Sequence, residues 1–213
     1  METFDAIRAR RTLKVLADPA QPFPECDDAL APTLAGIVEV AGWAPFHYQA
    51  DAVHRAGTLD SGVPWRFYAL AGSACQRLIQ WFDAEQMTAG KVRHMLAAAR
   101  ACVLATWLPD PGPDDAFQAF EPSLRNMEHI AAASAASQNL LLAATDQGFE
   151  TYWSSGGLFR TEQAYDRLGI PPREVLLGAL FLFPTDVQGV PAKPGAHRDA
   201  RGPAESWSRW VEP

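Results

Sequence analysis

Four cations and one hydroxyl fall within seven residues near the N-terminus, in Arg8-Ala9-Arg10-Arg11-Thr12-Leu13-Lys14. Guanidinium groups make forked, charge-assisted bonds to phosphate, and a hydroxyl adds a neutral donor. These residue types suit an anionic ligand. They equally suit a plain basic helix end, where cations complement the dipole. Lysine stands only at Lys14, Lys91 and Lys193, which singles out Lys14. A second group is Ala44-Pro45-Phe46-His47-Tyr48-Gln49, followed after a gap by Pro64-Trp65-Arg66-Phe67. Its rings and its amide and imidazole donors can line a planar ligand or form a solvated loop. His47, Asp51 and His54 invite a metal reading, but their spacing matches no recognised zinc motif. A third group is Trp153-Ser154-Ser155-Gly156-Gly157-Leu158. Hydroxyls and backbone N–H groups at such a turn bind anions or carbonyl oxygens, and the glycines permit close approach. The turn is not Gly-x-Ser-x-Gly, so no nucleophile elbow is expected.

Absences narrow the chemistry. The sequence has no G-x-G-x-x-G, P-loop or H-E-x-x-H, so the usual dinucleotide, nucleotide-triphosphate and zinc-protease signatures are missing. The net charge of −7 argues against a sequence-independent grip on nucleic acid, which needs a basic face. Cys26, Cys75 and Cys102 are odd in number and far apart, which points to a reducing, cytoplasmic setting rather than a disulfide framework. The N-terminus lacks the apolar run of a signal peptide. The longest apolar stretch, 131–144, is too short and too polar to span a bilayer. No membrane partner is expected.

Elements must position these groups. Residues 4–11 read as a helix. A second runs to about Trp43, with Asp27 and Asp28 available as caps and Pro45 beyond its end. Residues 46–63 read as a loop, 65–70 as an alternating strand and 73–96 as a helix broken near Gly90. The apolar run 100–108 suits a buried strand. Residues 109–122 read as a loop with some local helix. The Ala-rich segment 126–147 is the clearest helix; its small residues suit close helix packing, and Gly148 suits its C-terminal end. Strand 149–153, a short helix from Thr161 to Leu168 and an apolar strand 175–183 follow. A Pro/Gly-rich tail ends in Trp207-Ser208-Arg209-Trp210, read as a helix packing its two indoles on a neighbour. The order suggests an α+β or α/β sandwich with about four strands, in one domain, since no repeat or linker divides 1–213.

Taken in order, these segments resemble the nitroreductase family, in particular its short members. Arg10-Arg11-Thr12 and Lys14 resemble the family's opening Arg-Arg-Ser with a basic residue two positions on. Ala44-Pro45 and Pro64-Trp65-Arg66-Phe67 resemble the end of its second helix and the following strand entry. Ser137-Gln138-Asn139-Leu140-Leu141-Leu142-Ala143-Ala144 with Gly148 resembles its long central helix. Trp153-Ser154-Ser155-Gly156 resembles Trp-Arg-Ser-Gly, and 176–182 its last core strand. The resemblance covers about Phe4 to Arg198.

It implies a homodimeric three-layer α/β/α sandwich with a mainly antiparallel central sheet of about four to five strands, and FMN at the dimer interface. By the same carry-over, Arg10, Arg11, Thr12 and Lys14 hold the FMN phosphate and ribityl chain. Pro45, Phe46 and His47 approach the flavin from the partner, and Trp153, Ser154, Ser155 and Gly156 line its reactive edge. Lys193 or Arg198 adds a phosphate contact. NAD(P)H would reduce the flavin, and a nitroaromatic, quinone or similar small acceptor would take the electrons, with no obligatory catalytic side chain. Alternatives on the same fold are a flavin store or sensor, or another flavin chemistry. The sequence departs from the pattern after Pro45, where Phe46-His47-Tyr48-Gln49 leads into an insertion at 50–62 and Val63 stands for Gln.

Overall fold

The computed structural model describes residues 1–23, 28–55, 57–87, 90–111, 120–187 and 189–212. Helix α1 (Thr3–Ala9) leads into a short strand β1 (Leu13–Val15), and α2 spans Ala31–Ala41. Strand β2 (Trp65–Ala71) is followed by α3 (Ser73–Ala84), α4 (Lys91–Ala98) and β3 (Ala101–Trp107). The long α5 (Leu124–Asp146), β4 (Phe149–Ser154), α6 (Glu162–Leu168), β5 (Val175–Pro184) and β6 (Ala192–Pro194) complete the order.

The central sheet has four strands in the order β2-β3-β5-β4, all antiparallel. Both faces are covered. Along β3, Cys102 and Leu104 pack into one apolar cluster with residues of α3, α4 and α6, while Ala101, Val103 and Ala105 join α2 and α5 in another. Strand β5 divides likewise, with Phe181 and Phe183 on the first face and Leu180 and Leu182 on the second. Two buried faces explain why both strands read as unbroken apolar runs. The result is the expected α+β three-layer sandwich.

Several local readings shift. Helix α5 starts at Leu124 because the Ser123 hydroxyl accepts the Asn126 N–H at 3.2 Å, an N-cap the apolar pattern alone does not reveal. The expected cap of α2 is not Asp28, which begins a separate one-turn 3-10 helix; Pro32 instead presets the first turn. Asp27 and Cys26 lie outside the described residues, as does the local helix expected within 112–119. The segment 73–96 is two helices, and Gly90 enters α4 with φ +48. The C-terminal indoles do not pack on a neighbouring element of the chain: Trp207 is 67% and Trp210 100% exposed. Polar Ser208 and Arg209 leave that segment too little apolar surface to hold a helix against the body.

Two devices fasten the N-terminal segment to the body. A parallel bridge joins Thr12 to Thr151 on β4. On its other side β1 pairs with β6, placing Leu13 opposite Pro194 and Lys14 opposite Lys193. Gly195 extends this pairing by donating its N–H to the Thr12 carbonyl at 2.8 Å. A Cβ there would lie 2.9 Å from the Thr12 Cβ, so the close approach requires glycine.

Candidate functional site

The strands β1, β4 and β6 bring both ends of the chain to one cavity of about 850 Å³. Its wall includes Arg8, Arg10, Arg11, Thr12, Glu150, Arg198 and Arg201. The β1–β6 pairing carries Arg198 back to the end of α1, where its guanidinium donates to the Arg10 carbonyl at 3.0 Å and to the Arg8 carbonyl. Arg201 donates its Nε–H to the Arg198 carbonyl at 2.9 Å. Lys193, opposite Lys14 in the strand register, does not line this cavity.

The charges here are unbalanced. Partial burial, then repulsion from Arg198 and Arg201, holds the Arg10 guanidinium below the usual arginine range. Among the described residues no carboxylate pairs with Arg10, Arg198 or Arg201. Arg11 differs: its Nε and Nη2 grip both oxygens of Glu150, with Nε at 3.0 and 3.2 Å, and this pairing raises its pKa. Three like charges without a counter-ion make a ready site for an anion bearing several acceptor oxygens.

A second, smaller cavity of about 390 Å³ lies where Lys14 of β1 and Tyr152 and Ser154 of β4 come together. Lys14, Lys91, Tyr152, Ser154, Ser155 and Gly157 are on its wall. The Lys14 ammonium lies over the Tyr152 ring, 4.7 Å from its centroid, a cation–π contact that steadies a long side chain. Because Thr12 and Thr151 bridge in parallel, the chain runs the same way on both strands, from Arg11 and Glu150 to Lys14 and Tyr152. At about 3.3 Å per residue, Lys14 stands about 10 Å beyond Arg11 along this direction. A ligand with an anionic head and a polar planar end fits this pair.

The turn after β4 is built from its own atoms. The Ser154 hydroxyl accepts the Gly156 N–H at 3.3 Å, and the Ser155 carbonyl accepts from Arg160 Nε at 2.6 Å. Gly156 has φ +107, and a Cβ there would lie 2.5 Å from Leu176 Cδ2, so the turn needs glycine on both counts. Trp153 points to the opposite sheet face, into the cluster with α2 and α5. Gly178 makes room there; a Cβ at that position would lie 2.7 Å from the Ser154 carbonyl. Trp153 and Gly156 line neither cavity.

Pro45, Phe46 and His47 also stay apart from both cavities within the one chain. The Phe46 ring meets Trp65 edge-on at 5.7 Å, and His47 Nδ1 lies 3.4 Å from Glu128 Oε2. The metal reading is not supported, since no cluster of metal-ligating side chains occurs among the described residues. His54 is instead buried, with Nε2 2.7 Å from the Pro109 carbonyl. The insertion at 50–62 is held from below by buried Arg66. Its Nη1 donates to the carbonyls of Val63 and Trp65, and its Nη2 to those of His54, Leu59 and Ser61, all within 3.1 Å.

Sequence reasoning missed Arg201, Lys91 and Glu150. The scarcity of lysine was the available signal for Lys91; nothing in spacing marked Glu150 or Arg201.

The family model of the nitroreductase family matches residues 31–182. The chain belongs to the nitroreductase family. No match to a curated protein reaches significance. Among solved structures, a nitroreductase-like protein from Bacillus cereus superposes with TM-score 0.65 at 20% identity, covering 100% of this chain and 97% of that one. A candidate NAD(P)H:FMN oxidoreductase from Staphylococcus epidermidis gives 0.64 at 14% identity, covering 99% and 96%. A candidate nitroreductase from Exiguobacterium sibiricum, solved in complex with FMN, gives 0.61 at 15% identity, covering 99% and 98%. These likenesses establish the nitroreductase fold. No helix among the described residues is long and apolar enough to cross a membrane.

Proposed function

We propose that this nitroreductase-family protein is an FMN-dependent oxidoreductase that passes hydride equivalents from NAD(P)H to a nitroaromatic, quinone or similar small acceptor. One observation carries the reading: Arg10, Arg198 and Arg201 converge, with no carboxylate partner among the described residues, on one cavity at the β1–β4 seam, and Lys14 lines a second cavity on the same seam. Family membership and relatives solved with FMN or named for it support the choice of ligand.

In this reading Arg10, Arg198, Arg201 and Thr12 hold the phosphate, with Arg11 at the same wall. Lys14, Ser154 and Ser155 face the ring end, and Lys91 joins them. Bound FMN supplies the capacity to accept and release hydride. The protein orients it and stabilises negative charge: two ammonium groups, Lys14 and Lys91, stand on the wall of the smaller cavity. Trp153 and Gly156 act from behind, by shaping the turn. The described residues of 50–62 line neither cavity.

A homodimer completes the proposal. Large apolar side chains are exposed on α1 (Phe4, Ile7), on α2 (Val40) and at the start of α5 (Leu124, Met127), and Trp43 is 82% exposed. Exposed apolar side chains of this size support a reading in which they are covered by a partner. Pro45, Phe46 and His47 would then reach the partner's flavin. Residues 1–213 form one domain in this reading, with 185–213 as a tail that carries Arg198. The proposed cytoplasmic setting agrees with Cys75 and Cys102 being buried thiols outside any disulfide among the described residues.

The test is the visible spectrum of the purified protein, with the released cofactor identified by chromatography, followed by NADH or NADPH oxidation with a quinone acceptor. Flavin absorbance, about one FMN per chain and acceptor-dependent turnover are expected. A protein that stays colourless after FMN is added would overturn the proposal.

A further inference from the structure

Glu150 sets the role of Arg11. Among the described residues lining the larger cavity, Glu150 is the only carboxylate. Its side chain is 14% exposed against 54% for Arg11, and the two are bound through both carboxylate oxygens. Their backbones are fixed as well: the Thr151 hydroxyl donates to the Arg11 carbonyl at 3.3 Å, beside the Thr12–Thr151 bridge. If Arg11 swung away to grip a phosphate, it would leave a mostly buried carboxylate unpaired beside a dianion. Both the desolvation and the like-charge repulsion oppose that.

We infer that Arg11 serves this cavity as the neutralising partner of Glu150, and that of the arginines it is Arg10, Arg198 and Arg201 that grip the anionic head of the ligand. The inference rests on the reading of the cavity as the FMN phosphate site, and adds the division of labour among its arginines. Glu150 is then a positioning residue: it pins Arg11, and it limits how tightly the pocket holds a phosphate.

The experiment measures FMN and riboflavin affinity by flavin-fluorescence quenching in the flavin-stripped full chain. The ratio of the two affinities isolates the phosphate contribution. Arg11→Gln leaves Glu150 unpaired and weakens FMN about tenfold, with riboflavin unchanged. Adding Glu150→Gln to Arg11→Gln restores FMN affinity to within about threefold of wild type, and Glu150→Gln alone tightens it. Arg11→Lys keeps the charge and stays near wild type, which covers the case of an Arg11→Gln variant that folds poorly. A double variant as weak as Arg11→Gln, an Arg11→Lys variant as weak as Arg11→Gln, or an Arg11→Gln variant with unchanged FMN affinity would overturn the inference. Wild-type protein that binds FMN no better than riboflavin would overturn the phosphate-site reading itself, and the inference with it.

Discussion

Two regions of this molecule are organised around arginine, and they use it in opposite ways. Arg66 is buried, and five backbone carbonyls from the 50–66 segment accept its Nη protons. Nearby, buried Glu174 accepts from the Tyr68 hydroxyl at 2.9 Å and the Thr106 hydroxyl at 2.5 Å. Burial raises the Glu174 carboxyl above its ordinary range despite those bonds. That region is closed: protein atoms accept from both terminal nitrogens of Arg66 and donate to both carboxylate oxygens of Glu174, and only Arg66 Nε is left over. At the β1–β4 seam, Arg10, Arg198 and Arg201 repel one another across an open cavity. A guanidinium whose terminal nitrogens all donate to backbone carbonyls is a staple; a set of guanidiniums left short of acceptors is a binding site.

The largest effect expected from this contrast is on stability. Arg66→Met removes the staple and strands several carbonyls, costing about 3 kcal/mol or more of unfolding free energy. Urea titration checks this, and a loss below about 1 kcal/mol would show that the carbonyls find water instead. The next is on binding. Arg198→Ala with Arg201→Ala should weaken FMN by about 30-fold while the unfolding midpoint barely moves, because both side chains are exposed and bond only to carbonyls. Equal losses of stability and affinity would erase the distinction between staple and site.

A smaller effect is expected at Gly195. Gly195→Ala crowds Thr12, displaces the tail that carries Arg198, and should cost about 1 kcal/mol of FMN binding with riboflavin unaffected. Equal weakening of both flavins would mean that the tail supports the ring end instead. The smallest concerns His54. Burial lowers its pKa, ahead of the opposing effect of its bond to Pro109. The unfolded chain therefore binds the proton more readily. Stability present above the unfolded pKa of about 6.5 is lost as pH falls below it. Between pH 7.5 and 5.5, His54→Gln should lose less stability than wild type, by up to about 1 kcal/mol. Parallel pH profiles would show that His54 titrates as it does in the unfolded chain.

Much of the fold was legible. Continuous apolar runs marked β3 and β5 because both faces of the sheet are covered, and the Ala-rich period of α5 marked the helix against which α2 packs. The weak points have physical causes. The caps of α2 and α5 depend on individual side chains rather than on periodicity. Strands β1 and β6 are three residues each, too short to show a pattern, and they form only by pairing across the chain. The site follows the same rule. Arg10, Arg11, Thr12 and Lys14 stand together in sequence and were visible as a group. Arg201 and Glu150 belong to the site only because β6 and β4 carry them there. Trp153 looked like a lining residue, but strand alternation turns it to the other face, and only its neighbours Tyr152 and Ser154 meet the cavity.

Whether the uncompensated arginines of the seam hold an anionic ligand head is decided by titrating flavin-stripped protein with FMN and riboflavin, before and after Arg10→Ala. Wild type is expected to bind FMN at least about 30-fold more tightly than riboflavin, and Arg10→Ala to remove most of that preference while leaving riboflavin binding in place. Equal affinity for the two flavins in wild type, or a preference that survives Arg10→Ala undiminished, would contradict it.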